Sequence, residues 1–254
     1  MYIPDCVNGD KFKEICDFHL GSPIPDKVSP LLYSDADKHK EAIKFIASNP
    51  KRQFKLLTHN GDIPIDECHI PPNLMAWHAL NLTFRHPRVH PIPIGLENPH
   101  WHPSKMAEIE NAESYNTRII KAIGEFNPMT FYIGRVPLVN SILTGKIYAQ
   151  YASSTNGKGF AEYIDNLRKY AFCLCPRGNG IDTHRIWEAL YLGCIPIIER
   201  HITHECLKNM PVLFIDDWSE VTQDRLSQEY NIINTQTFAY EELSFAYWKD
   251  KVLQ

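Results

Sequence analysis

The chain has no apolar run of the roughly eighteen residues that a membrane-spanning helix needs, and Met1 to Gly21 lacks the pattern of a secretory signal peptide. A cytoplasmic protein without a membrane span is therefore the expectation. Positive charge is also scarce: 26 Lys and Arg stand against 30 Asp and Glu, a net charge of −4, which argues against nucleic acid as a partner. Seven cysteines, an odd number, are scattered with no C-x₂₋₄-C pair, so neither a disulfide framework nor a zinc site is indicated. Buried free thiols account for them better, with Cys173 and Cys175 on one face of a predicted strand. Neither a P-loop nor a G-x-G-x-x-G spacing is present, and no repeat or low-complexity linker divides the chain. What is there is ordinary for a globular enzyme: 254 residues, 44% hydrophobic and 22% charged, enough for one large domain or two small ones.

The most informative stretch runs from Tyr170 to Glu199. An apolar run (Ala171 to Cys175) breaks at Pro176 into a basic loop, Arg177-Gly178-Asn179-Gly180. A helix pattern begins at Asp182 or Thr183, and Ile195 to Ile198 supplies a second buried strand. Two glycines let the backbone approach a ligand closely. Asp182 or Thr183 suits an N-cap, and the free N–H groups behind it, with Arg177 and Arg185, suit a phosphate or diphosphate. A plain strand-turn-helix, with Arg185 and Glu188 as a surface ion pair, fits the same residues.

Along the chain, hydrophobic spacing predicts helices over Asp37–Ser48, Pro71–Phe84, Ala107–Phe126, Phe160–Lys169 and Tyr240–Leu253. Further strands are predicted over Phe54–Thr58, Val89–Ile94, Met129–Ile133, Ile147–Tyr151 and Val212–Ile215. This alternation implies an α/β protein with parallel sheets. Two such halves fit two facing Rossmann-like domains with a cleft between them, divided at about residues 1–135 and 136–254.

The segment Pro176–Ile198, PRGNGIDTHRIWEALYLGCIPII, resembles the signature of exostosin-like glycosyltransferases, in particular a compact branch found in large DNA viruses, algae and bacteria. A second match lies upstream, in Leu57 to Asp62 followed by His90 to Asn98. The resemblance covers roughly residues 50 to 220. It implies a GT-B-like pair of domains, an N-terminal one for the acceptor and a C-terminal one for the sugar nucleotide. Animal and plant exostosins carry a membrane anchor and work in the Golgi; this sequence shows none, so either the anchor was never there, as in the viral and bacterial relatives, or this is a trimmed domain, and a viral member would act in the host cytoplasm.

The resemblance implies an inverting transfer from a nucleotide-diphosphate sugar, most simply a UDP-sugar, to a glycan hydroxyl, with no cofactor or metal required. Xylose is preferred by analogy with viral relatives that build capsid glycans. Arg177 and Arg185 would contact the diphosphate, while Gly178, Asn179, Gly180, Asp182 and Thr183 shape the loop. Glu188 is a candidate for the ribose hydroxyls or an intrahelical partner of Arg185. Arg135 could reach the phosphates or could be a solvated loop arginine. Ligands of open α/β sheets bind beyond the carboxyl ends of the strands, which makes Asp62 the candidate base. Glu97 is second, and His59 could serve as base or donor-sugar contact.

Two rival readings come from other residues. Asp35-Ala36-Asp37 matches the D-x-D pattern with which a different, metal-dependent transferase fold (GT-A) holds Mn²⁺ or Mg²⁺. Asp37 equally suits a helix cap or first turn, the preferred reading. The histidines from His78 to His102 could suggest a metal, but the prolines among them argue for an extended loop, where Trp101 could stack on an acceptor sugar. The second rival is a module that binds a sugar nucleotide or glycan without catalysis.

Overall fold

The computed structural model describes residues 5–112, 117–153 and 159–254. Among them, ten strands form two parallel five-stranded sheets. The first half begins with α1 (Gly9–Glu14), capped by the Asn8 side chain, and continues with β1 (Phe18–His19), β2 (Leu31–Asp35), α2 (His39–Ala47), β3 (Phe54–His59), β4 (Leu74–Ala79) and β5 (Val89–Pro91). These strands pair in chain order, β1 to β5. Alternation sends Leu32, Leu56, Trp77 and Ala79 to the face covered by α2, where Ala42 and Ile46 meet them. Leu31, Tyr33, Leu57 and Ile92 point to the other face.

The second half contains α3 (Lys105–Glu110), β6 (Ile119–Gly124), α4 (Tyr132–Leu143), β7 (Ala149–Tyr151), α5 (Phe160–Lys169), β8 (Tyr170–Leu174), α6 (His184–Tyr191), β9 (Ile195–Glu199), β10 (Leu213–Ile215), α7 (Gln223–Thr235) and α8 (Phe245–Leu253). The strand order is β10-β9-β8-β6-β7. Its first strand, β6, thus lies inside the sheet, with β7 on one side and β8 on the other. Such an order reverses between β6 and β8, and the crevice beyond their carboxyl ends is where doubly wound sheets bind ligands. Residues of α4 and α7 cover one face through Leu138, Ile142 and Leu226; α5 and α6 cover the other through Ile164, Ile186 and Leu190.

The halves are joined by apolar packing. Cys6, Leu80, Ile94 and Leu96 of the first half share a cluster with Trp187, Leu190 and Leu207 of the second. The last helix crosses back: Phe245, Trp248 and Val252 of α8 pack with Phe12, Leu31 and Leu57 against the first sheet.

Several predicted elements take other forms. The segment Pro71–Phe84 is not a helix: its centre is β4, hydrogen-bonded between β3 and β5. Of the long helix predicted over Ala107–Phe126, α3 takes the start and β6 the end, while residues 113–116 fall outside the described residues. The strand predicted at Met129–Ile133 is a turn leading into α4, a helix that spans the division placed at residues 135 and 136. Ile119, Ala122, Ile123 and the terminal Gly124 of β6 instead pair within the C-terminal sheet.

Candidate active site

The signature folds as a strand, a loop and a helix: β8, then Cys175 to Thr183, then α6. Within the loop the Gly178 N–H donates to the Gly180 carbonyl at 3.0 Å, and the Arg177 guanidinium donates to Asn179 O at 3.2 Å while lying 4.5 Å from the Phe131 ring centre. Neither loop glycine adopts a positive φ. Their small size is needed for close approach: a Cβ on Gly180 would stand 2.9 Å from Asn81 Nδ2, and one on Gly178 would stand 3.2 Å from Arg135 Nη2. These crowding atoms belong to the protein, so the glycines fit the loop into its own surroundings.

Thr183, in extended conformation, is the N-cap of α6, yet its side chain makes no cap hydrogen bond. Its Oγ1 and the Nε of Arg185 are both buried without a hydrogen-bond partner. They line a cavity of ≈ 420 Å³ together with His184, Glu188, Lys105 and Glu125. Glu125 directly follows β6 and accepts a hydrogen bond from Asn166 Nδ2 at 2.8 Å. The cavity therefore opens where the strand order reverses, with the N–H groups of a helix start facing it. Unpaired donors at such a place match an anion.

Glu188 is buried, accepts a hydrogen bond from the Tyr163 hydroxyl at 2.6 Å and forms an ion pair with Lys105 Nζ at 2.5 Å. Burial alone would raise its carboxyl pKa, but Lys105, Tyr163 and Arg185 outweigh it and hold the pKa below the ordinary value. Its ion pair is thus with Lys105, from the segment before the second sheet, and Arg185 acts on it as a nearby charge. The Arg185 guanidinium lies 5.6 Å from the Tyr163 ring centre and 5.9 Å from that of Phe126.

Arg135 is buried in α4, unlike the solvated arginine considered from sequence. It donates to the carbonyls of Arg177, Asn127 and Pro176 at 2.8, 3.0 and 3.1 Å. Burial and the Arg185 charge lower its pKa to about 10. These bonds make it a brace beneath the loop. Asp182 is also turned inward: its Oδ2 accepts the Ile94 N–H at 2.8 Å, and both carboxylate oxygens lie 3.2 Å from Trp187 Nε1.

Asn81 was not a candidate from sequence. Buried at φ 54°, it accepts the N–H groups of Ile181 and Asp182, each at 2.9 Å, on one oxygen. Its amide also donates to Gly61 O at 3.3 Å, so it links the signature loop to the loop after β3. The only local signal was an Asn in a position where a left-handed residue is tolerated. Asn81→Ala strands two buried N–H groups and is expected to lower stability by about 2–3 kcal/mol in urea unfolding. An unchanged midpoint would deny Asn81 this linking role.

The first-half candidates separate by environment. His59 is buried and stacked 5.1 Å from Phe12. Its Nδ1 accepts the Asn60 N–H at 2.8 Å, which leaves Nε2 to donate to Pro93 O at 2.9 Å. Burial lowers its pKa, so the ring is neutral. Asp62 is exposed, and its Oδ2 receives Asn179 Nδ2 of the signature loop at 3.3 Å. Glu97 accepts Lys105 Nζ at 3.0 Å, with His102 at 3.7 Å. Hence Asp62 meets the signature loop directly, while Glu97 reaches the cavity through Lys105.

Asp37 is an exposed first-turn residue of the 3₁₀ segment Ala36–Lys38, and Asp35 receives the Tyr33 hydroxyl at 3.3 Å. His100 pairs with Asp10 and His102 with Glu97, so the two are directed to different carboxylates. Among the described residues no group of three or more His, Cys, Asp or Glu is arranged to hold a metal. Trp101 is 69% exposed beside His100.

Residues 138–250 match the family model described as the RXYLT1 C-terminal domain. Shorter matches connect the chain to two probable glycosyltransferases of Arabidopsis thaliana. One is 40% identical over 37 residues, which is 15% of this chain and 8% of that protein. The other is 47% identical over 36 residues, 14% of this chain and 7% of that protein. The chain thus matches only a small part of the length of these curated relatives. The comparisons support a glycosyltransferase of exostosin-like type. The described residues contain no helix long and apolar enough to cross a membrane.

Proposed function

We propose that the protein is an inverting, metal-independent glycosyltransferase that takes a UDP-sugar as donor and a glycan hydroxyl as acceptor, with UDP-xylose the first donor to test. The observation that carries this reading is the cavity at the start of α6, where Thr183 Oγ1 and Arg185 Nε are buried without partners. The diphosphate would take these donors and the helix N–H groups, and Arg185 would balance the charge that grows on the leaving group. Glu188, held ionised by Lys105, would accept from the ribose hydroxyls. The C-terminal sheet is then the donor side and the N-terminal sheet the acceptor side of a GT-B-like pair. Asp62, on the acceptor side and in contact with the signature loop, would remove the acceptor proton as that oxygen attacks the anomeric carbon. The C–O bond to the diphosphate breaks on the opposite face, which inverts the configuration.

Titration calorimetry with UDP and GDP, with and without EDTA, tests the donor site. UDP is expected to bind in EDTA and to lose about 10- to 100-fold in affinity in Arg185→Ala, the worth of a charge-assisted bond of about 1.5–3 kcal/mol. Absence of nucleotide binding would sink the reading. Binding abolished by EDTA, together with sensitivity to Asp35→Ala, would transfer it to the D-x-D residues.

A further inference from the structure

Two other cavities share no lining residue with the one at α6. The first, ≈ 790 Å³, lies between the first sheet and α8 and includes Lys55, Lys251, His78 and His90 in its wall. The second, ≈ 550 Å³, includes Arg85 from the first half and Arg200, His201 and Phe214 from the ends of β9 and β10. Lys208 and Glu205 line both. The cavities therefore adjoin as one trough.

Five Lys and Arg side chains line this trough against two carboxylates, Glu205 and Glu242, in a chain whose net charge is −4. Lys208 is exposed, and among the described residues its ammonium has no side-chain partner. Arg85 pairs with Glu205, and Arg200 with Asp216 at 3.3 Å. Pairs as open as these are held by little energy, so an incoming anion can replace the carboxylates. The amides of Gln53, Asn209 and Gln254 line the first part with the cations. His78 and His90 lie side by side on neighbouring strands, ring centres 5.5 Å apart, with no hydrogen-bond partner among the described residues. Burial keeps both neutral, so they add donors and acceptors suited to hydroxyls. Among the described lining residues each aromatic ring is covered or buried: Lys251 lies over Tyr247 at 4.4 Å, Arg200 over Phe214 at 5.6 Å, and Trp248 is 3% exposed. Single-stranded nucleic acid needs open stacking faces. A lining that combines cations, amides and imidazoles fits a sugar chain that bears negative groups.

We propose that this trough binds an extended anionic glycan, with Lys208 at the junction of its two parts. The site goes beyond the proposed transfer reaction and is independent of nucleotide binding. Fluorescence anisotropy of labelled oligogalacturonate and of labelled dextran sulfate oligosaccharides separates carboxylate from sulfate as the group bound. At least one is expected to bind, with affinity falling as salt rises, while neutral dextran does not. Lys208→Glu is expected to weaken that binding at least tenfold and to leave UDP affinity unchanged. A second variant, Lys55→Gln with Lys251→Gln at the far end, should weaken long oligosaccharides more than short ones. No binding of either anionic glycan, unchanged affinity in both variants, or equally tight binding of oligothymidylate would overturn the proposal.

Discussion

Asp62→Asn is expected to lower turnover by roughly 10²- to 10⁴-fold, the usual contribution of a positioned general base, while UDP affinity stays within about twofold. Three first-half residues could take the acceptor proton, and their surroundings rank them. His59 is buried, neutral and engaged at both nitrogens, so it has no free lone pair for an acceptor. Glu97 is tied to Lys105, and protonating it would break that pair. Asp62 is exposed, and among the described residues its carboxylate receives one hydrogen bond, from Asn179. An asparagine at 62 can still accept from Asn179 with its carbonyl oxygen, so the loop contact survives and the loss reports on the missing base. Initial rates of UDP release with a saturating acceptor, set beside UDP calorimetry on the same variant, make the test. Full activity in Asp62→Asn would remove it from the reaction and make Glu97→Gln the next variant.

The second large effect is on stability. Burial pushes the Asp182 carboxyl from 3.8 up to about 7, against hydrogen bonds from Ile94, Trp187 and Thr183 that pull it down. Between pH 4 and 7 the unfolded chain has therefore released this proton while the folded chain keeps it. Fewer protons in the unfolded state means that stability falls as pH rises through that window and levels off above it. The folded-state penalty reaches about 4 kcal/mol once both states are ionised. Glu188 works in the opposite sense, because its lowered pKa gives stability that is lost as pH falls. The contribution of Asp182 is isolated by difference: urea midpoints of wild type and Asp182→Asn across pH 4 to 8 are expected to converge or cross as pH rises. A constant gap between the two curves would show that Asp182 does not hold the proton.

Phe160–Lys169 and the signature were legible because their cues are local. Gly159 precedes the first and basic residues end it, while a glycine at φ 67° closes the second at Gly193. The stretch around β4 misled because Trp77 and Leu80, three apart, fit a helix as well as a strand. Partners on both edges, β3 and β5, decide for the strand. Similarly, Ile119 to Gly124 reads as the end of a helix until the pairing of Ile119, Ala122, Ile123 and Gly124 with β7 and β8 fixes it as β6. Pro137 and Gly134 disguised α4, and the low apolar content of α7 gave no spacing to follow.

Within the candidate site, sequence determined which residues gather: Thr183, Arg185 and Glu188 are brought to one cavity by the first turns of one helix, whose geometry is a property of the local chain, whereas Arg177 does not line that cavity and lies on Phe131. Only the tertiary structure decided what each polar group faces. Arg135 and His59 were read as facing a ligand or solvent and Asp182 as a cap or loop-shaping residue, yet all three satisfy backbone groups far along the chain. Asn81, unremarked in sequence, joins the loop at Gly61 to the loop at Ile181. A buried polar group must find a partner, and in a two-sheet protein that partner comes from whichever distant segment the packing sets beside it.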